Sequence, residues 1–290
     1  MPLVLYFCKA MKMKTSRNVA INYPEIPLAQ TIVQLCELKG IRNIVICAGS
    51  RNAPLTNGFV ENPFFKTYSI VDERSAAFFA MGMAQQLQTP TAVVCTSGSA
   101  LLNFYPAVAE AFYSNIPLVV ISADRMPHRI DIGDGQTIQQ KGVFEPHLVD
   151  FAYLSPDVIH ATDTLLDNPN QQLIPHNASP KEIEEKQKRV QEENEEQINA
   201  VLNSAKEQLG PVHLNVPMEE PLYGVTSVPL EIKNNTEPTQ PIVKIDFEKI
   251  KKQWQNARKK IVLVGVNHPN TVDEKWLRLI DSDPTVVVMT

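Results

Sequence analysis

The chain has 290 residues, 43% hydrophobic and 20% charged, the balance of a soluble globular protein with room for one large or two ordinary domains. Its formal charge of −5, with no basic cluster interleaved with aromatics, excludes a general nucleic-acid binder. No stretch reaches the roughly 20 consecutive apolar residues of a membrane-spanning helix.

The amino-terminal run MPLVLYFCKAMKMKTS holds an apolar segment of only about seven residues, short even for a secretory h-region, with no basic flank before it and no small-residue cleavage site after it. Residues 1–20 are therefore expected to be a disordered tail, or an extension upstream of a true start at Met11 or Met13. The four cysteines, Cys8, Cys36, Cys47 and Cys95, have neither metal nor redox spacing, which suits a reducing cytoplasm.

Residues 28–38 read as an amphipathic helix, with Leu28, Ile32, Leu35 and Cys36 at helical spacing. Pro27 suits its first turn and Gly40 its end. A strand over 44–48 (IVICA) then stops at Gly49-Ser50-Arg51. Ser50 is expected to cap the next helix, with Pro54 in its first turn. Arg51 is open to two readings, a solvated loop charge or a fork for a carboxylate or phosphate.

The next strand, over 67–71, runs into Asp72, Glu73 and Arg74, and an apolar helix follows at once. Glu73 is thus a carboxylate delivered by a strand end, or else Asp72 or Glu73 simply caps the helix. A strand over 92–96 (AVVCT) ends in Ser97-Gly98-Ser99, where Gly98 lets backbone approach a ligand. A helix over 101–112 contains Pro106, which predicts a kink or break. A strand over 118–122 (LVVIS) ends in Ala123-Asp124-Arg125. Four β-branched runs that stop at small or polar clusters predict an α/β fold, with a parallel sheet whose functional groups share one edge.

A long turn-rich stretch follows Arg125, of a length that in a compact domain is usually functional. Its Gly133-Asp134-Gly135 reads as a turn and not as a metal motif. Residues 181–209 form a highly charged helix, with Glu182/Lys186 and Glu184/Lys188 at i,i+4 spacing, expected to be a solvated face. A buried strand over 212–216 carries His213 as a packed residue. The Pro-, Thr- and Asn-rich residues after 225 read as an interdomain linker, placed at 226–244. Helices over 247–257 and 276–280 and strands over 261–266 and 285–289 then open a second, Rossmann-like α/β domain with too few elements to close a core.

The absence of G-x-S-x-G argues against a hydrolase, and the absence of G-x-G-x-x-G after the first strand against a nicotinamide dehydrogenase. The run CAGSRNAPL, VDERSAAFFAMGMA, CTSGSALLNFYPAVAEA and ISADRMPHRIDIGDGQTIQQ, closed by GPVHLNVPMEEPLYG, resembles the pyrimidine-binding domain of thiamine-diphosphate enzymes. Within that family it is most similar to the menaquinone-pathway synthases. The resemblance covers about residues 25–225 and implies that residues 21–225 are this domain, with 245–290 the truncated start of a middle domain.

The resemblance implies an enzyme that decarboxylates 2-oxoglutarate and adds the resulting carbanion to isochorismate. Its cofactors would be thiamine diphosphate and Mg2+, with the metal ligands in a carboxyl-terminal domain that this chain lacks. Glu73 then matches the catalytic glutamate on the cofactor's aminopyrimidine ring. Thr96, Ser97 and Gly98 match cofactor-binding residues, and Ser50, Arg51, Arg125 and Gln136 match substrate-binding ones. Both substrates are acids, which suits the two arginines. Gly135 stands where the family often has asparagine. A homodimer or homotetramer is implied for the complete enzyme. Two alternatives stay open: a non-catalytic pyrimidine-domain module, and another thiamine-diphosphate decarboxylase or synthase.

Overall fold

A computed structural model describes residues 22–168, 173–232, 245–265, 267 and 271–289. The expected tail over 1–20 and residues 233–244 of the expected linker lie outside the described residues. The chain divides into two compact units, Met1–Glu237 and Pro238–Thr290.

The first unit opens with β1 (Tyr23–Pro24), α1 (Pro27–Leu38), β2 (Asn43–Ile46), α2 (Ala53–Glu61), β3 (Lys66–Ser69) and α3 (Glu73–Leu87). It continues through β4 (Thr91–Cys95), α4 (Ser99–Leu102), α5 (Tyr105–Tyr113) and β5 (Leu118–Asp124) to a single 3-10 turn at Pro127–Arg129. β6 (Asp150–Tyr153), α6 (Thr162–Asp167), α7 (Pro180–Glu207), β7 (Val212–Pro217) and β8 (Val225–Thr226) complete it. The second unit contains α8 (Phe247–Asn256), β9 (Lys260–Leu263), α9 (Glu274–Asp281) and β10 (Val286–Met289), with β9 and β10 paired in parallel.

The main sheet has six strands in the order β3-β2-β4-β5-β7-β6, every adjacent pair parallel. Successive side chains of a strand point to opposite faces, and this alternation builds two cores. Ile44, Ile46, Val94, Val119, Ile121 and Leu214 face a core shared with α1, α2 and α7. Val45, Cys47, Val93, Cys95 and Val120 face the other, shared with α3, α4 and α5. Burial on both faces is why β4 and β5 read as nearly continuous apolar runs. All strand ends that precede a helix emerge at one edge, which gathers the residues following β2, β4, β5 and β7.

The break expected at Pro106 is present: Pro106 sits at the second position of α5, and the helical stretch over 101–112 is split into α4 and α5. Other expectations are corrected. Residues 226–232 of the expected linker are held against the domain: β8 pairs antiparallel with β1, and Leu230 N donates to Gln30 Oε1 at 2.8 Å. The edge strand β6 was not read from the sequence.

α7 is not solvated along its whole length. Its first turn is closed by a capping box between Ser179 and Glu182, so Glu182 is turned back toward the amino terminus. Further along, Gln187, Asn194 and Glu195 are buried. Gln187 Oε1 accepts Val158 N at 2.8 Å, and Asn194 Oδ1 accepts Ser155 N at 2.9 Å. These polar side chains face inward because the irregular backbone after β6 brings donors that a sheet would otherwise have satisfied.

Candidate active site

Glu73 is the first residue of α3, and the capping task falls to its neighbour. The Asp72 side chain accepts Ser75 N at 2.8 Å, which holds its carboxyl below the usual range and leaves Glu73 free. Glu73 is half-buried and has no hydrogen-bond partner among the described residues. Its charge is felt by Cys47 at the end of β2 and Cys95 at the end of β4. Burial first, then Glu73 and Asp72, push the Cys47 thiol up to about 12. Burial, then Cys47 and Glu73, raise Cys95. Glu73 therefore lies over the ends of β2 and β4, above an apolar floor of neutral thiols.

The turns beside it interlock. A side chain at Gly49 would bring its Cβ within 2.6 Å of Thr96 Cβ, so the turn after β2 packs against Thr96 only as glycine. Gly98 has φ +82°, and a Cβ there would lie 2.6 Å from Gln136 O, which requires glycine on two counts. The close approach at Gly98 is thus made by the chain's own 133–140 loop. Ser97 Oγ donates to Gln136 O at 3.0 Å and Gly98 N donates to Gln140 Oε1 at 2.9 Å. Two of the three expected cofactor-binding residues thus direct polar groups to this loop, while the Thr96 side chain lies against Gly49.

Gln140, fully buried, ties the loop to the sheet. Its Nε2 donates to Asn215 Oδ1 at 2.6 Å and to Ala123 O at 3.2 Å. Asn215 Nδ2 donates in turn to Asp124 Oδ2 at 2.8 Å. Burial outweighs this bond and the one from Arg125 N, raising the Asp124 carboxyl to about 6. Below them Ser122 Oγ pairs with His213 Nε2 at 2.7 Å, and burial lowers His213 to about 3. His213 is a packed, neutral strand residue, as its place in the strand predicts.

Arg51 is 3% exposed, which disposes of the solvated-loop reading. Its Nη1 donates to Met218 O at 3.0 Å and its Nη2 to Glu220 Oε1 at 2.9 Å. Arg125 donates Nη2 to Gly135 O at 2.9 Å. Its Nε lies 3.8 Å from Asp134 and its Nη1 3.9 Å from the same Glu220 oxygen. Arg129 reaches both Asp134 and Glu219. Asp134, the centre of the glycine-flanked turn, thus faces two guanidinium groups. Among the described residues no three His, Cys, Asp or Glu side chains are grouped to hold a metal ion.

Ser50 does not cap α2; the cap position is Asn52, whose Nδ2 reaches back to Cys47 O at 2.9 Å. Ser50 and the Gln136 side chain are exposed at the mouth of the same edge. Sequence reasoning brought Glu73, Arg51, Arg125 and the TSG turn to one edge, and they are there. It passed over Gln140, Asn215, Glu219 and Glu220. The two adjacent acids two residues beyond the buried run VHLNV were the available signal, since they occupy the same edge as the two arginines.

Residues 26–151 match the family described as thiamine pyrophosphate enzyme, N-terminal TPP binding domain. The chain is 48% identical over 274 residues to a 2-succinyl-5-enolpyruvyl-6-hydroxy-3-cyclohexene-1-carboxylate synthase of Christiangramia forsetii, covering 93% of this chain and 45% of the relative. It is 47% identical to the synthase of the same name from Flavobacterium johnsoniae, covering 92% of this chain and 43% of that one. The chain therefore spans about half the length of the curated relatives it matches. An X-ray structure from Mycobacterium smegmatis, described as a thiamin diphosphate-dependent enzyme, has the same fold with TM-score 0.54 and 15% identity, over 82% of this chain and 39% of that one. Residues 26–151 thus match the N-terminal TPP binding domain of thiamine pyrophosphate enzymes, and the chain is similar to 2-succinyl-5-enolpyruvyl-6-hydroxy-3-cyclohexene-1-carboxylate synthases across about half their length.

Proposed function

We propose that this chain is the part of such a synthase that holds the aminopyrimidine end of thiamine diphosphate and the acidic groups of 2-oxoglutarate and isochorismate. The observation that carries this reading is Glu73: a carboxylate at a helix start, relieved of capping by Asp72 and, among the described residues, without a hydrogen-bond partner, beside the ends of β2 and β4. A carboxylate so placed suits a ring that presents N–H groups. When bound, the cofactor supplies a carbon nucleophile and then an electron sink for decarboxylation. The chain's own residues do the rest. Glu73 would hydrogen-bond the aminopyrimidine ring nitrogen and hold the shared proton between a carboxylate oxygen and that nitrogen. Cys47 and Cys95, kept neutral, provide a floor without a competing charge. Arg51 and Arg125 fix substrate carboxylates through charge-assisted bonds, and Ser50 and Gln136 line the mouth with polar groups.

In this reading the divalent ion that accompanies the diphosphate, Mg2+, is held by residues outside those described. The complete enzyme works in the cytoplasm as a homodimer or homotetramer. Exposed Phe78, Phe79, Leu102 and Tyr113 on α3 to α5 support a partner surface there.

The test is an assay of the complete enzyme with 2-oxoglutarate, isochorismate, thiamine diphosphate and Mg2+. Carbon dioxide release should match isochorismate consumption one for one and stop when thiamine diphosphate is omitted. Equal or faster decarboxylation of pyruvate, or release without isochorismate consumption, would overturn the reading.

A further inference from the structure

We propose that Glu220 is an internal substitute for a substrate carboxylate, held between Arg51 and Arg125 until substrate displaces it. The inference rests on the reading above, in which those two arginines bind substrate acids. A single oxygen, Glu220 Oε1, lies 2.9 Å from Arg51 Nη2 and 3.9 Å from Arg125 Nη1. Two guanidinium groups that converge on one point repel each other unless an anion stands between them, and a buried cation without a counter-charge is costly. Glu220 supplies that charge in the absence of ligand.

Its neighbour marks the difference between a fixed and a movable acid. The Glu219 side chain is 2% exposed, and its Oε1 accepts both Glu220 N at 3.0 Å and Arg129 Nη2 at 3.3 Å. The Glu220 side chain is 64% exposed, and among the described residues its carboxylate is held through the two arginines alone. Rotation of Glu220 into water therefore breaks one short bond, to the enclosed Arg51, and leaves the arginine pair in need of another carboxylate.

A second observation points to a ligand at the same place. Among the described residues Arg51 Nε is buried and has no hydrogen-bond acceptor, although Arg51 is itself almost wholly enclosed. Glu220 satisfies one Nη of Arg51 and leaves its Nε donor unmet. A small dicarboxylate entering the slot brings more oxygens than Glu220 does, so the exchange favours a substrate of that class. A neutral ketone brings no compensating charge and cannot displace the side chain. Glu220 thus acts as a specificity-determining residue, since only an acid competes with an acid.

Internal competition lowers apparent affinity by the fraction of molecules whose slot is open. If about one molecule in ten is open, freeing the slot tightens binding about tenfold. The experiment is calorimetric titration of the complete enzyme with succinate, a non-reacting dicarboxylate, in the absence of thiamine diphosphate. Glu220→Gln keeps the shape and removes the charge. Glu220→Asp keeps the charge and shortens the reach to Arg51. Both should bind succinate about tenfold more tightly than wild type.

Unchanged or weaker binding in Glu220→Gln overturns the inference. Arg125→Ala separates the two levels of the argument. If it abolishes succinate binding while Glu220→Gln brings no gain, the arginine site stands and only the displacement idea fails. If Arg125→Ala leaves succinate binding intact, the carboxylate-site reading fails and the inference falls with it.

Discussion

The two halves of the sheet's functional edge are built on opposite principles. Over β2 and β4, Glu73 is a lone carboxylate above buried thiols, with its neighbour Asp72 doing the structural work. Over β5 and β7, Arg51, Arg125 and Arg129 are matched by Asp134, Glu219 and Glu220, above a fully buried amide and imidazole network. One half keeps a charged group free for a ligand. The other neutralises itself and must be opened by one. A site can be poised either by leaving a group unsatisfied or by satisfying it with something removable, and this edge does both.

The largest expected effect lies on the free side. Glu73→Gln in the complete enzyme should lower turnover by about 10²–10⁴-fold, the span of a positioned proton-transfer group, while the melting temperature stays at the wild-type value. Turnover within twofold of wild type would end the contrast between the halves.

The packed side should declare itself in acid. Burial depresses the folded-state pKa of His213 to about 3, so the stability that comes from keeping it neutral is fully present above its unfolded value near 6.5 and is lost as pH falls toward 3. Wild type should lose roughly 1.4 kcal/mol per pH unit across that window relative to His213→Phe. Asp124 works in the opposite sense: its pKa is raised to about 6, so its contribution is full below about 4 and fades as pH rises through 6. It is common to both proteins and cancels in the difference. Denaturant melts of the two proteins at pH 4, 5 and 6 measure the effect, and parallel pH profiles would show that His213 is not held neutral.

Gln140→Leu should cost about 1–3 kcal/mol, because Gly98 N loses its acceptor and Asn215 Oδ1 loses one donor. Urea midpoints at pH 7 check it, and a loss below 0.5 kcal/mol would mean that the loop holds itself. The smallest effect sharpens the comparison at its origin. Asp72→Ala should lower the melting temperature by about 2–4 °C through the lost cap and leave turnover within about threefold, the reverse of Glu73→Gln. A turnover loss as large as that of Glu73→Gln would place both acids in the chemistry.

Much of this was legible in the chain itself. Runs such as AVVC and LVVI, apolar on every residue, announce strands buried on both faces. The small or polar clusters after them mark where backbone must turn and side chains can project, which placed Glu73, Arg51, Arg125 and the TSG turn on one edge. The remainder depends on distances that residue order does not encode. Gln140 lies 42 positions from Gly98 and 75 from Asn215 along the chain, and nothing local distinguishes it from Gln139. Glu220 meets Arg51 across 169 positions, so its charge could be read but not its partner. The polar residues of α7 looked solvated because helical periodicity reports apolar faces, while Gln187 and Asn194 are buried to serve backbone groups of a distant loop.

The three described cysteines are free thiols, all of them buried, and they are divided between the two cores. Cys36 lies in the core beneath α1, α2 and α7; Cys47 and Cys95 lie in the one beneath α3 to α5. A thiol reagent reaches such groups only while the covering layer is open. The rate of labelling at each site is therefore a clock for the opening of one face of the sheet, read by mass spectrometry without any engineered probe. Cys36 times one layer and the Cys47–Cys95 pair the other, so a single experiment on the unmodified chain tells whether the two faces come apart together or in turn.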